Sequence, residues 1–186
     1  MKFLAGFIAA FAIIALGVAI TIISGVYNVA ATAPASGFEH LILHSTMVDS
    51  VRAHAGNEVR KEWSKEDVKD GFKEYDEMCI ICHAAPGKER SKIGKGLEPQ
   101  APDLSKAEKG WTNAQLFWIV KNGIRMTGMP AFGRSHPDPV IWTIVGFVRR
   151  LPQISAQEYE AMEAQLRTPT TGPEEEDHHP PVDAPP

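Results

Sequence analysis

Apolar and polar residues recur along this chain at helical spacing, and no stretch shows the two-residue alternation of a half-buried strand. The first segment is apolar throughout. No charged residue occurs from Phe3 to Val26, a run long enough to cross a bilayer as a helix. A second helix is predicted from Phe38 to Ala55, with Ser36 as its N-cap and Gly56 just past its end. Ser64, with Asp67 three residues on, opens a third helix that runs through Gly71, Phe72 and Tyr75. Gly71 shares a face with Tyr75 and Cys79, so its missing side chain would let another helix backbone come close.

From Ala84 to Leu104 the pattern breaks into Gly and Pro, with Pro86-Gly87, Gly94, Gly96, Pro99 and Pro102, which predicts a wrapping loop. Thr112 caps a helix through Lys121 that Asn122-Gly123 ends. Asp138-Pro139 opens a helix over Val140 to Leu151, with Ile144 and Phe147 on one face and Pro152 as its stop. Ser155 and Glu158 form a capping box for a last helix reaching about Leu166. The expected fold class is therefore all-α. Its units are an apolar membrane segment over 1–27, a juxtamembrane helix and linker over 28–63, a helical domain over 64–167 and a tail over 168–186.

Composition changes this picture at the two ends. The tail from Thr168 to Pro186 holds Glu174, Glu175, Glu176, Asp177 and Asp183 without Lys or Arg, and its Pro-rich, apolar-poor make-up predicts disorder. Without those five, 18 of the 23 acidic residues remain against 19 basic ones, so the rest of the chain is close to neutral. Any charge-based recognition must then come from local patches. At the other end, a cleavable signal has an apolar core of about 7–15 residues. The run here is longer, and Pro34 directly follows the Ala31-Thr32-Ala33 pattern, so an uncleaved signal anchor is expected. Lys2 precedes the run, which puts residue 1 in the cytoplasm and everything after about Tyr27 in a bacterial periplasm.

The chemistry is concentrated in Cys79-Ile80-Ile81-Cys82-His83. The run uses both cysteines of the chain and sets a histidine behind the second, the spacing of covalent c-type haem attachment. Two thiols can add to the haem vinyl groups while His83 serves as proximal iron ligand. A zinc site would need further ligands at finger-like spacing, and a thioredoxin-like site needs alternating strands and helices; neither is present in the pattern. A domain of about a hundred residues has a marginal core by surface scaling, so the haem is expected to be part of it.

The sixth ligand decides the chemistry, because a thioether closes the iron whereas an open position admits small molecules. Met126 and Met129 both lie within reach of the Gly-rich segment, and Met129 is favoured. It sits in Gly128-Met129-Pro130-Ala131-Phe132-Gly133, a loop that can present its sulfur, while Met126 reads as an apolar gap filler. His136 is a further candidate, more simply read as a surface or capping residue. Upstream, His40, His44, Met47, Val51 and His54 fall on one helical stripe. That stripe could bind copper or carry a bis-histidine site, but without carboxylate or thiol a copper site is thin, and a wet face near the membrane or a partner is the simpler reading.

Taken together, Gly71-x-x-x-Tyr75-x-x-x-Cys79, the haem motif, Pro102-Asp103-Leu104, Leu116 to Gly123, Met129-Pro130 and Ile144-x-x-Phe147 resemble the class I cytochrome c family, particularly membrane-anchored monohaem cytochromes of bacterial respiratory chains. The resemblance covers roughly Glu66 to Pro152. It implies a cytochrome c-type helical domain wrapped around one covalent haem c, with Gly71 and Tyr75 crossing Ile144 and Phe147. It also implies that the Pro102 carbonyl accepts the His83 ring proton. The segment from Tyr27 to Trp63 and the acidic tail depart from the small soluble members, which argues for a tethered protein.

The expected function is outer-sphere transfer of single electrons between respiratory-chain partners, with no enzymatic bond breaking and no nucleic-acid partner. Lys88, Arg90, Lys92, Lys95, Lys121, Arg125 and Arg134 could steer an acidic redox partner, although Glu89 and Glu98 dilute them. The alternatives are a haem c subunit of a larger membrane oxidase or dehydrogenase complex, and a peroxidase-like or gas-binding haem with a labile Met129 ligand.

Overall fold

The computed structural model describes residues 2–33, 35–57, 62–106 and 110–167. Among these the chain is helical and forms no named strand, as the all-α expectation requires. The acidic tail lies outside the described residues.

The apolar run becomes α1, Lys2–Ser24, whose large apolar side chains stay uncovered among the described residues; Phe3, Phe7, Phe11 and Ile13 are all exposed. Next comes α2, Gly37–His54. Ser36 caps it by accepting from the Glu39 N–H at 3.1 Å. Its C-terminal half is fastened to the domain: Val51 is fully buried, and the His54 ring lies 6.1 Å from Trp118.

The domain begins with α3, Lys65–Glu74, whose capping box pairs the Ser64 hydroxyl with the Asp67 N–H and the Asp67 carboxylate with the Ser64 N–H. The expected continuous helix into the haem motif is interrupted. Tyr75–Cys79 form a π-helical turn, after which α4 spans Ile80–His83. One inserted residue per turn rotates the helix beyond it, so Gly71, Tyr75 and Cys79 do not continue one uniform α-helical face.

The stretch predicted as a plain loop contains a short helix, α5, Lys92–Lys95, because Ser91 accepts from the Gly94 N–H at 3.1 Å and nucleates a turn. A 3₁₀ turn follows at Leu104–Lys106. Then come α6, Asn113–Asn122, capped by Thr112 and Gln115, and a 3₁₀ turn at Phe132–Arg134. The long helix α7, Asp138–Arg150, tightens at Leu151–Gln153 into a 3₁₀ turn that holds Pro152. Last is α8, Ala156–Arg167, started by Ser155 and Glu158.

The centre of the domain is the crossing of α3 on α7. A Cβ at Gly71 would overlap the Thr143 carbonyl and lie 3.0 Å from the Phe147 Cβ, so only glycine allows this approach. Around the crossing Phe72, Tyr75, Phe147 and Tyr159 are wholly buried. Phe72 stands 5.4 Å from Phe147 and edge-on to Tyr159 at 5.2 Å, and Tyr75 stands 5.2 Å from Phe147. Such pairs contribute about 0.5–1.5 kcal/mol each beyond area burial. On an adjacent face of α7 the Trp63 indole lies against Gly146, where a Cβ would come within 2.6 Å of its Nε1. That Nε1 donates to the Trp142 carbonyl at 2.7 Å, and Trp142 stacks on Phe117 at 4.4 Å.

Candidate functional site

Cys79 is buried in the core cluster with Tyr75, Phe147 and Tyr159, and Cys82 is half-buried beside it; the two form no disulfide. Burial, with smaller contributions from Glu74 and Cys82, pushes the Cys79 thiol up to about 12. A thiol held protonated is the reverse of the depressed thiolate on which a thioredoxin-like site depends.

The segment is held from both ends. The Tyr75 hydroxyl donates to the Ala84 carbonyl at 2.6 Å, bridging nine residues across the two cysteines and the histidine. Ala84 itself has φ +61 and ψ −178, a conformation that normally calls for glycine, so the bridge fixes a strained residue directly behind His83. From α8 the Tyr159 hydroxyl donates to Asp76 at 2.8 Å, and Lys88 pairs with Glu163. Ser91 N–H donates to the Ile81 carbonyl at 3.0 Å, and Gly94 packs so closely that a Cβ would overlap that carbonyl.

His83 Nδ1 lies 2.9 Å from the Pro102 carbonyl, which can only accept, so Nδ1 carries the proton and Nε2 keeps its lone pair. Burial lowers the imidazole's basicity, against a smaller opposing effect of the Pro102 bond, so the ring is held neutral as a ligand must be. Arg90 donates from Nη2 to the Ala101 carbonyl at 2.7 Å. Its Nε is buried with no partner among the described residues, a donor that an anionic carboxylate of a bound porphyrin would satisfy.

The two methionines separate clearly. Met129 is half-buried and packs on the same core cluster as Cys79. Met126 is 80 % exposed with φ +61, so it does not fill an apolar gap as its sequence context suggested; the turn aims it outward. His136 is engaged elsewhere, with Nδ1 2.8 Å from the Ser135 hydroxyl and Nε2 3.4 Å from Glu74. The histidine stripe divides: His40 and His44 stack at 5.6 Å in the exposed half of α2, while His54 meets Trp118. Among the described residues no three His, Cys, Asp or Glu side chains converge to hold a metal ion.

The cations expected to form a steering patch are partly neutralised. Lys88 pairs with Glu163, Lys95 with Glu89 and Lys121 with Asp138. Lys92, Arg125 and Arg134 remain exposed. Sequence reasoning missed Tyr159, Asp76, Glu163 and Trp63, none of which carries a local signal, because each acts only through a partner distant in the chain.

Helices crossing at a glycine, a Cys-x-x-Cys-His segment bridged behind its histidine, and a neutral imidazole tied to a proline carbonyl define a class I c-type cytochrome domain with covalently bound haem c. Residues 66–148 match the family model described as Cytochrome C oxidase, cbb3-type, subunit III. The matched stretch leaves α1, α2, Trp63 and α8 outside it. No curated protein matches the chain.

Proposed function

We propose that this protein is a membrane-anchored periplasmic cytochrome that passes single electrons between respiratory-chain partners, using one haem c with His83 and Met129 as axial ligands. The observation that carries the ligand assignment is the contrast between a core-packed Met129 and an outward Met126, set against a His83 whose Nε2 is left unprotonated by the Pro102 bond. In this reading Cys79 and Cys82 hold the porphyrin as thioethers. Bound there, the haem supplies a one-electron couple whose potential a methionine ligand and an apolar surround raise.

The chain's own residues do the rest. Pro102 keeps the His83 ring in one tautomer and orientation, Gly123 and Thr127 set the backbone of Met129, and the aromatic core keeps water from the buried side of the pocket. With His83 and Met129 both held on the iron there would be no open site for a substrate, and the protein would act as a carrier rather than an enzyme. The apolar helix α1, with Lys2 as its first residue, supports a single-pass anchor with the cytochrome domain on the periplasmic side.

The weak near-infrared absorption of iron–sulfur(Met) ligation in the oxidised protein tests the ligand set. Met129→Ala is expected to abolish it and Met126→Ala to leave it; the reverse result would overturn the assignment. Fast carbon monoxide binding by the reduced protein at neutral pH would favour a gas-binding haem instead.

A second reading, a haem c subunit within a membrane oxidase, is favoured by one observation: the matched family is described as an oxidase subunit. Extraction in mild detergent separates the two, because a subunit would migrate with other polypeptides and a tethered carrier would migrate alone.

A further inference from the structure

The first two turns of α2 carry an apolar end that no described residue of the cytochrome domain covers. Phe38 is 73 % exposed, Leu41 62 %, Ile42 46 % and Leu43 50 %. At about 100° per residue these four span more than half of the helix circumference within a short length. A helix that docks sideways on a protein, or lies flat on a bilayer, carries its apolar residues as a stripe along its length. In α2 the exposed apolar residues are gathered at one end, while Met47 and Val48 are half-buried and Val51 is fully buried. The other end carries Asp49, Arg52 and His54 and is fastened to α6 through Val51 and His54.

The structure also shows what lies beside that end. Tyr27, three residues beyond the last residue of α1, donates its hydroxyl to the Glu39 carboxylate. The bond holds the start of α2 next to the exit of the apolar helix, and it engages the acidic side chain of the first two turns. Exposed apolar side chains thus run from α1 to Val26 and Val29 and recur at Phe38.

We infer that the first two turns of α2 insert into the headgroup and upper acyl region of the bilayer that α1 spans, making α2 a strut that sets the height and orientation of the cytochrome domain above the membrane. The inference rests on the reading of α1 as a membrane anchor. The occupant is lipid, recognised by apolar burial around a helix end. A helix of this length spans about 27 Å. Clamped to α6 at the far end, it replaces a swinging tether with a fixed stand-off, and so restricts the haem edge to partners at one height.

The full-length holoprotein, whose two native cysteines are consumed by thioether bonds, is reconstituted in phosphatidylcholine liposomes with single nitroxide labels after Ile13→Cys, Phe38→Cys, Ile42→Cys or Asp49→Cys. Power saturation then compares accessibility to oxygen, which partitions into lipid, with accessibility to a water-soluble nickel chelate. The expected oxygen-to-nickel ratio is several-fold higher at positions 13, 38 and 42 than at position 49. If 38 and 42 match 49 while 13 stays in lipid, the strut is overturned and the anchor stands. If 13 is also open to water, the anchor reading fails. Dipolar broadening at 38 that disappears on dilution with unlabelled protein would place a second copy on this surface and overturn the lipid assignment.

Discussion

Gly123 and Met129 are locked together across the turn between them. Gly123 has φ +65, and a Cβ there would lie 2.7 Å from the Met129 carbonyl oxygen and 2.7 Å from the Pro130 carbonyl carbon. The same carbonyl of Met129 accepts from the Ile124 N–H at 3.2 Å, and the Met129 N–H donates to the Thr127 hydroxyl at 3.1 Å. Gly123→Ala therefore strains the backbone and pushes on the loop that presents the methionine. The expected result is a loss of about 2–3 kcal/mol in a denaturant titration. It should be accompanied by weakening of the near-infrared band; an unaltered band would show that this loop does not place an iron ligand.

Tyr75→Phe leaves the Ala84 carbonyl buried without its donor and frees a residue held at positive φ behind His83. Loss of a buried hydrogen bond of this kind costs about 1–3 kcal/mol. The denaturation midpoint should fall accordingly with the slope unchanged. A variant as stable as the parent would remove the bridge from the account of the haem segment.

Alkaline pH should destabilise the domain through its buried phenols. Burial raises both Tyr75 and Tyr159 above the ordinary value, and at Tyr159 the Asp76 carboxylate raises it further. A folded-state value above the unfolded one gives stability that is complete below the unfolded pKa of about 10 and is lost as pH rises beyond it. Phenolate absorbance from these two residues should appear only as the domain unfolds. Tyr159→Phe removes one linked proton, so its stability should fall less steeply above pH 10, although it begins lower by about 1 kcal/mol for the lost bond to Asp76. Equal slopes in the two proteins would contradict this linkage.

Electrostatic steering should be modest. With Lys88, Lys95 and Lys121 paired to carboxylates, Lys92, Arg125 and Arg134 are the exposed cations of the expected patch that pair with no carboxylate among the described residues. Stopped-flow reduction by an acidic electron donor at rising ionic strength should show a shallow decline. Charge removal at Arg125 or Arg134 should slow the reaction more than removal at Lys121. A steep dependence that Lys121→Gln abolishes would reverse this ranking.

Local sequence carried much of the fold. Ser36, Ser64, Thr112 and Ser155 each start a helix through bonds to residues three positions away, so the helix starts could be read without tertiary information. The haem motif was equally legible, because its chemistry lies in five consecutive residues. The π turn at Tyr75–Cys79 was not, since no residue type in it marks the shift of the hydrogen-bond ladder. Nor was the role of Met126, which reads as an apolar residue in a Gly-rich stretch and is turned outward by its backbone.

What the sequence determined by itself was the set of short-range commitments: an apolar run long enough for a membrane, helices with their caps, and two thiols followed by an imidazole. The tertiary structure decided which distant groups meet. Tyr159 reaches Asp76 across 83 residues, Trp63 reaches Trp142 across 79, and Glu163 takes the charge of Lys88 from 75 residues away. The physical reason is that capping and covalent attachment depend on spacing along the chain. Burial, ion pairing and the presentation of a sulfur depend on the crossing of helices, and that crossing is set by the shape of the whole core at Gly71 and Gly146.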